Sequence, residues 1–257
     1  MPRQSPVPRV RVGCAGWSIP TGCAALFGEG DSLLARYATR FSVVEINSSF
    51  YRSHQRRTYE RWAATVPAHF RFSVKVPRTL SHDTGLVGAG PLLDGFLDEV
   101  AGLGSTLGAL LLQLPPSLAF DGRRVAAFLG ALRRRTTVAV VCEPRHASWF
   151  DPRVEALLQR HGVARAAVDP ARLPAAAVPG GAAAPAYWRW HGSPRMYYSD
   201  YAETALAALA AEVQRHATVN APAWVIFDNT AQGFAVPNAA RLQALLADPT
   251  DRAARQG

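Results

Sequence analysis

Val43-Val44-Glu45-Ile46-Asn47-Ser48-Ser49-Phe50-Tyr51-Arg52 is the stretch on which the fold of this chain turns. A β-strand alternates its side chains, so Val44 and Ile46 face one way while Val43, Glu45 and Asn47 face the other. The apolar face is suited to packing against a helix. The opposite face carries a carboxylate and then an amide where the strand should end. A buried charge is expensive unless paired, so Glu45 calls for a cation.

Outward from this segment the pattern repeats. Strand-like runs are expected over Val10–Cys14, Ser42–Asn47, Arg71–Val76, Ala109–Leu114, Val138–Glu143, Val163–Val168, Tyr187–His191 and Ala223–Asp228. Between them lie amphipathic stretches with helical spacing: Asp31–Arg40, Arg57–Thr65, Leu92–Gly102, Arg123–Arg134, Arg153–Gly162, Ala202–His216 and Asn238–Ala247. Asp31 or Ser32 is placed to cap the first, Gly162 to stop the fifth, and Pro237 lies near the start of the last. Residues 170–186, rich in Ala, Pro and Gly, read as a long loop. Strands alternating with helices imply a parallel sheet with right-handed crossovers. Eight such units in 257 residues match an α/β fold built as a single TIM-type (β/α)8 barrel, with room for irregularity. An open doubly wound sheet is the runner-up, but no GxGxxG follows the first strand. The expected division is a disordered N-terminal tail over 1–9, one barrel domain over 10–248 and a C-terminal tail over 249–257.

Composition narrows the class. With 49% hydrophobic and 18% charged residues, the chain is expected to be a globular protein. No run approaches the ~18 apolar residues of a membrane span, and no membrane partner is expected. The polar, Pro-rich start is not a secretory signal. Cys14, Cys23 and Cys142 are scattered and odd in number, as expected of reduced thiols in a cytoplasmic protein. The formal charge is +9, yet a single lysine, Lys75, stands among 28 basic residues. An Arg-rich coding bias explains much of that charge without a nucleic-acid footprint. The same bias singles out Lys75 as a position where a compact, titratable amine serves and a planar guanidinium would not.

In a barrel of this kind the chemistry collects at the C-terminal strand ends. Polar groups fall there on strand after strand: Glu45 and Asn47, Lys75, Gln113, Glu143 and Arg145, Asp169, Arg189 and His191, then Asp228 and Asn229. Taken together, Glu45-Ile46-Asn47-Ser48-Ser49-Phe50-Tyr51-Arg52, Phe72-Ser73-Val74-Lys75, Gln113-Leu114-Pro115-Pro116, Glu143-Pro144-Arg145-His146-Ala147-Ser148-Trp149 and His191-Gly192 resemble the YecE-like family, domain of unknown function seventy-two. The resemblance runs from about Val10 to Leu246. It implies a TIM-type barrel and no established reaction. The chain departs from the family's usual pattern at Ile19, where an aromatic is common, at Ser81 before His82, and at Asp228, where asparagine is common.

Two readings attach to the charged pairs. Glu45 with Lys75 or Arg145 forms either a carboxylate held for acid–base work beside an anion-binding cation, or a structural salt bridge across the barrel top. Lys75 fits an electrostatic clamp better than a Schiff-base nucleophile. Arg145 suits bidentate binding of a carboxylate or phosphate, and His146 either transfers a proton or caps the following helix. Glu45, Lys75, His82, Glu143 and His191 are the candidate catalytic groups. Asn47, Tyr51, Arg52, Gln113, Arg145, His146, Arg189, Tyr198, Asp228 and Asn229 are the candidate substrate contacts. Tyr197, Tyr198 and Tyr201 would form an aromatic wall. No cofactor is expected. A divalent metal is not favoured, since His82, His146, His191, Glu45, Glu143 and Asp228 show no local ligand spacing and face competing cations. The leading expectation is an enzyme acting by acid–base chemistry on an anionic or highly polar small molecule, in a lyase, isomerase or hydrolase reaction. The alternatives are nucleic-acid binding or phosphodiester cleavage in the manner of barrel-fold repair nucleases, and a non-catalytic ligand-binding barrel.

Overall fold

The computed structural model describes residues 10–218 and 221–247. The tails expected over 1–9 and 249–257, and the last residue assigned to the barrel, lie outside the described residues. Five parallel strands come first: β1 (Val10–Ala15), β2 (Val43–Ile46), β3 (Arg71–Lys75), β4 (Leu107–Gln113) and β5 (Ala139–Glu143). The sixth is interrupted into β6 (Val163–Arg165) and β7 (Ala167–Asp169). A two-residue piece, β8 (Gly180–Gly181), runs antiparallel to β6. The last two are β9 (Ala186–Trp190) and β10 (Ala223–Phe227).

Each of β1 to β5 pairs with the next, β5 pairs with β6, β7 with β9, β9 with β10, and β10 returns to β1. The ring therefore passes through the break at Ala166, whose N–H still donates to Cys142 O at 2.9 Å. Counting β6 and β7 as one interrupted strand gives the eight expected positions in a nearly closed barrel. The break divides the run Val163-Ala-Arg-Ala-Ala-Val168, where small residues give no turn signal.

Outside the strands lie α1 (Leu33–Ala38), α2 (Arg56–Thr65), α3 (Gly90–Val100), α4 (Gly122–Arg133), α5 (Pro152–Arg160), α6 (Glu203–His216) and α7 (Ala235–Leu246). The starts of α1 and α5 follow local chemistry. Ser32 Oγ accepts from Ala35 N–H, and Asp151 accepts from Arg153 N–H just before Pro152. Gly162 ends α5 at φ +62°, a left-handed conformation that glycine adopts without steric penalty. The crossover after the interrupted sixth strand holds only a short 3₁₀ turn, Pro174–Ala177, in place of an α-helix.

The alternation read in β2 sorts the side chains into two layers. Val44 and Ile46 pack into the large core between strands and helices. Val43 joins a separate cluster with Leu111, Val141, Tyr187, Trp224 and Ile226, which fills the barrel interior. Above that plug the inward positions are polar.

One seam of the ring is thin. β1 and β2 share two registered pairs, against five between β1 and β10. There the Tyr37 hydroxyl accepts from Cys14 N–H at 2.8 Å and donates to Val43 O at 3.0 Å. Gly13 makes room: a Cβ on it would lie 2.0 Å from Val43 O and 2.9 Å from the Tyr37 hydroxyl.

Candidate functional site

Arg189, fully buried, is the centre of the barrel mouth. It stands two residues beyond Tyr187 on β9, so both side chains enter the barrel. Its Nε and Nη2 donate to the two carboxylate oxygens of Glu45 at 2.9 and 2.6 Å. Its Nη1 donates to Glu143 Oε2 at 2.5 Å, and Nη2 also reaches Asp228 Oδ2 at 3.1 Å. The cation that Glu45 requires is thus Arg189 from across the barrel, where Lys75 or Arg145 was expected. Tyr187 assists: its hydroxyl lies 2.9 Å from Ser73 Oγ and 3.3 Å from Glu45 Oε2.

Glu143 is shared. Gln113 Nε2 donates to its Oε1 at 2.9 Å, and Arg145 Nε does so at 2.6 Å. Arg145 is held by the loop it belongs to. His146 caps the short helix Ala147–Phe150 by accepting from Ser148 N–H at 3.2 Å, and Trp149 Nε1 donates to Leu118 O. That is the capping role for His146.

His191 is fully buried and its tautomer follows from its neighbours. Arg145 Nη2 lies 3.0 Å from Nε2, and a guanidinium can only donate, so Nε2 accepts. The proton is on Nδ1, which donates to Asp228 Oδ2 at 3.0 Å.

Electrostatics follow the contacts. Burial pushes the Glu143 carboxyl up, but Arg189 and Arg145 outweigh it and hold the group well below the ordinary glutamate value. Burial likewise opposes ionisation of Asp228, and Arg189 with the His191 hydrogen bond brings its pKa below the usual range. Burial alone would lower Arg189, yet Glu143, Glu45 and Asp228 raise it well above normal.

Lys75 is different. It is 6% exposed, and among the described residues its ammonium has no hydrogen-bond or ion-pair partner. Its Nζ stands 4.3 Å from the centroid of the Phe50 ring. The turn Ser48–Phe50 places that ring, because Ser49 Oγ donates to Lys75 O at 2.6 Å. Burial lowers the Lys75 pKa and Arg189 lowers it further, against an opposing pull from Glu45, Glu143 and Asp228. His82 packs edge-on against the other side of this environment, 4.9 Å from Phe50, with Nδ1 2.8 Å from Ser81 Oγ. Burial, then Lys75 and Arg78, lower its pKa.

Asn47 completes the arrangement. Its Nδ2 lies 3.5 Å from Asp228 Oδ1, and its buried Oδ1 has no partner among the described residues. Thus Glu45, Glu143, Arg145, Arg189, His191, Asp228, Gln113 and Asn47 form one network, with Lys75 and His82 beside it.

Other candidates fall elsewhere. Asn229 is buried with Asn238 and Ser199 O. Tyr51 is 73% exposed against Phe50, and Arg52 lines an outer hollow. Tyr198 lies under Arg195, and it is Tyr197 that approaches His191, at 5.9 Å between rings. The expected tyrosine wall divides, since Tyr201 is buried against Trp190 with its hydroxyl donating to Asp169 Oδ1. Cys14 and Cys142 are core residues, and burial lifts the Cys14 thiol to about 12. Tyr187, Ser73 and Phe50 are absent from the residues chosen by sequence, and Tyr197 appears there only as part of the aromatic wall. The first two were legible there, each two residues before a chosen candidate on the same strand. Among the described residues no three His, Cys, Asp or Glu side chains are grouped to hold a metal ion. No helix among them is long and apolar enough to cross a membrane.

These features define an α/β barrel protein with a charged C-terminal mouth. Residues 11–256 match the family described as "Protein of unknown function DUF72", and the chain belongs to that family. Similar proteins include the UPF0759 protein YecE of Escherichia coli K12, 31% identical over 144 residues, covering 55% of this chain and 50% of that protein. The UPF0759 protein YunF of Bacillus subtilis 168 is 24% identical over 149 residues, covering 56% and 53%. The chain thus spans about half the length of the curated relatives it matches. A DUF72 family protein of Thermotoga maritima MSB8 has a TM-score of 0.75 at 25% identity, over 93% of this chain and 99% of that one. One from Enterococcus faecalis V583 has a TM-score of 0.76 at 24% identity, over 92% and 95%.

Proposed function

We propose that the mouth binds an anionic or highly polar small molecule and acts on it by acid–base chemistry. The observation that carries this reading is the isolation of Lys75. Each carboxylate around it is already engaged by a guanidinium, an imidazole or an amide, while the ammonium is buried and unpaired among the described residues. A mostly desolvated ammonium that has only the Phe50 ring and residual solvent against it is less favourable than a paired one, and an incoming anion would relieve it. Arg189, saturated by three carboxylates, is not available as the clamp once expected of it. His82 is the fitting proton carrier, because its lowered pKa leaves it neutral and able to accept near pH 7. Asn47 Oδ1 would receive a hydroxyl or amine of the same ligand.

The test is isothermal titration with oxalate, gluconate and inorganic phosphate as probes. At least one is expected to bind, and Lys75→Met to weaken it about tenfold or more, the scale of a lost hydrogen bond to a charged group. Equal affinity in the variant for every probe that binds would overturn the reading.

A second reading has one observation in its favour. Arg52, Arg57 and Arg61, exposed and without ion-pair partners among the described residues, line an open hollow of about 600 Å³ with His54 at the start of α2. A phosphate backbone would suit that surface. Single-stranded DNA binding that weakens steeply with salt, and that is lost on replacing the three arginines by alanine, would favour it over the mouth.

A further inference from the structure

Beside the mouth, between the loops that follow β4, β5 and β7, lies a cavity of about 300 Å³. Its walls include the rings of Pro116, Pro144, Pro170 and Phe150 and the side chain of Leu173. The three prolines carry no backbone N–H, so the donors there come mainly from side chains. Three basic side chains line it, Arg145, His146 and Arg172, and no carboxylate does.

The free donors can be identified. Arg145 uses Nε and Nη2 on Glu143 and His191, while its Nη1 has no hydrogen-bond partner among the described residues. His146 accepts from Ser148 N–H at Nδ1, so in its neutral form the proton is on Nε2, which is unpaired among the described residues. Arg172 is exposed and free of ion pairs among the described residues. Phe150 lines the cavity and also packs against Arg165, whose guanidinium is 5.0 Å from the ring centroid. The space is at the small end of the ~300–1,000 Å³ typical of small-molecule sites.

We infer that this cavity binds a small organic acid with a flat apolar body, an arylcarboxylate being the simplest member. The ring lies among the prolines and Phe150, and the carboxylate takes Arg145 Nη1 and the Arg172 guanidinium. Polar anions lack the apolar body, and neutral aromatics lack the charge. This inference does not depend on the reading of Lys75.

Titration of the full chain with phenylacetate, phenylacetamide and inorganic phosphate tests it. In Lys75→Met, whose mouth no longer holds anions well, phenylacetate is expected to bind at least tenfold more tightly than the other two. Arg172→Glu, at an exposed position that makes no ion pair, is expected to weaken phenylacetate at least tenfold with an unchanged melting temperature. Lys75→Met is expected to leave phenylacetate affinity unchanged. No detectable phenylacetate binding, equal binding of phenylacetamide, or loss in Lys75→Met without loss in Arg172→Glu would each overturn the assignment. The last of these would place the acid in the mouth, and failure here with retained oxalate or gluconate binding would leave the mouth reading intact.

Discussion

Arg11 and Arg189 are both buried arginines at strand positions, one at each end of the barrel, and their surroundings differ in kind. Arg11, at the N-terminal end of β1, donates to the carbonyls of Ser42 and His69 at 3.2 and 2.9 Å. Burial, with Arg71 nearby, lowers its pKa to about 10. Arg189, at the C-terminal end of β9, meets three carboxylates and its pKa rises. At the lower end neutral dipoles suffice to tie strand starts together. The mouth instead concentrates charges of both signs, three carboxylates against Arg189, Arg145 and Lys75. That concentration is costly to desolvate, and a hydrophobic plug would close the same space at less expense. The contrast therefore points to use of the mouth rather than to stability.

The comparison can be broken most directly at Arg189. Arg189→Met should leave Glu45, Glu143 and Asp228 crowded without their common cation and reduce stability by about 3–5 kcal/mol. Urea denaturation would measure it, and a loss below about 1 kcal/mol would mean the network is far looser than its distances imply. Leu111→Ala, in the apolar plug beneath, should cost about 2–5 kcal/mol as a core truncation and leave oxalate or gluconate affinity unchanged.

Acid should act on the mouth first. Glu143 and Asp228 have folded pKa values below their ordinary 4.5 and 3.8. Their stabilisation is complete above those ordinary values and is lost as pH falls through the folded ones. Unfolding free energy should decline below about pH 4.5, and Glu143→Gln should flatten that decline even though it weakens the protein at neutral pH. A slope unchanged by Glu143→Gln would contradict the assignment. Smallest in stability, and opposite in sign to Arg189, is Lys75→Met. Removing a mostly buried ammonium that makes no ion pair among the described residues should change stability by no more than about 1 kcal/mol, in the stabilising direction, while anion binding weakens about tenfold or more. A clear destabilisation would show that Lys75 serves the fold.

Much of this was legible in the residues themselves. Alternation in Tyr187-Trp188-Arg189-Trp190-His191 puts the polar three on one face, and Val43-Val44-Glu45-Ile46 does the same for Glu45. The barrel and the gathering of polar side chains at its mouth followed from that. Who pairs with whom did not. Glu45 and Arg189 are 144 residues apart, and their contact depends on the stagger of strands around the ring, which no local spacing encodes. The interrupted sixth strand escaped for a related reason: Ala164, Ala166 and Ala167 suit a strand, a bend or a helix alike. Tyr198 was chosen over Tyr197 because they are neighbours in a loop. The chain direction there is set by a left-handed residue, Tyr197 at φ +70°, and alternation gives no guidance.

The Tyr37 hydroxyl between β1 and β2 has a consequence for how the cylinder breathes. Around the rest of the ring the backbone ladders are longer, whereas β1 and β2 share two registered pairs and the bond from Gly16 N–H to Glu45 O at 2.9 Å. At this seam one phenol oxygen carries a donor and an acceptor that the two main chains do not exchange directly. Local unzipping should start there, so the Cys14 amide should exchange its hydrogen for deuterium sooner than its β10-facing neighbours. Tyr37→Phe, which deletes only that oxygen, should loosen this seam below its two paired residues while the other staves stay joined.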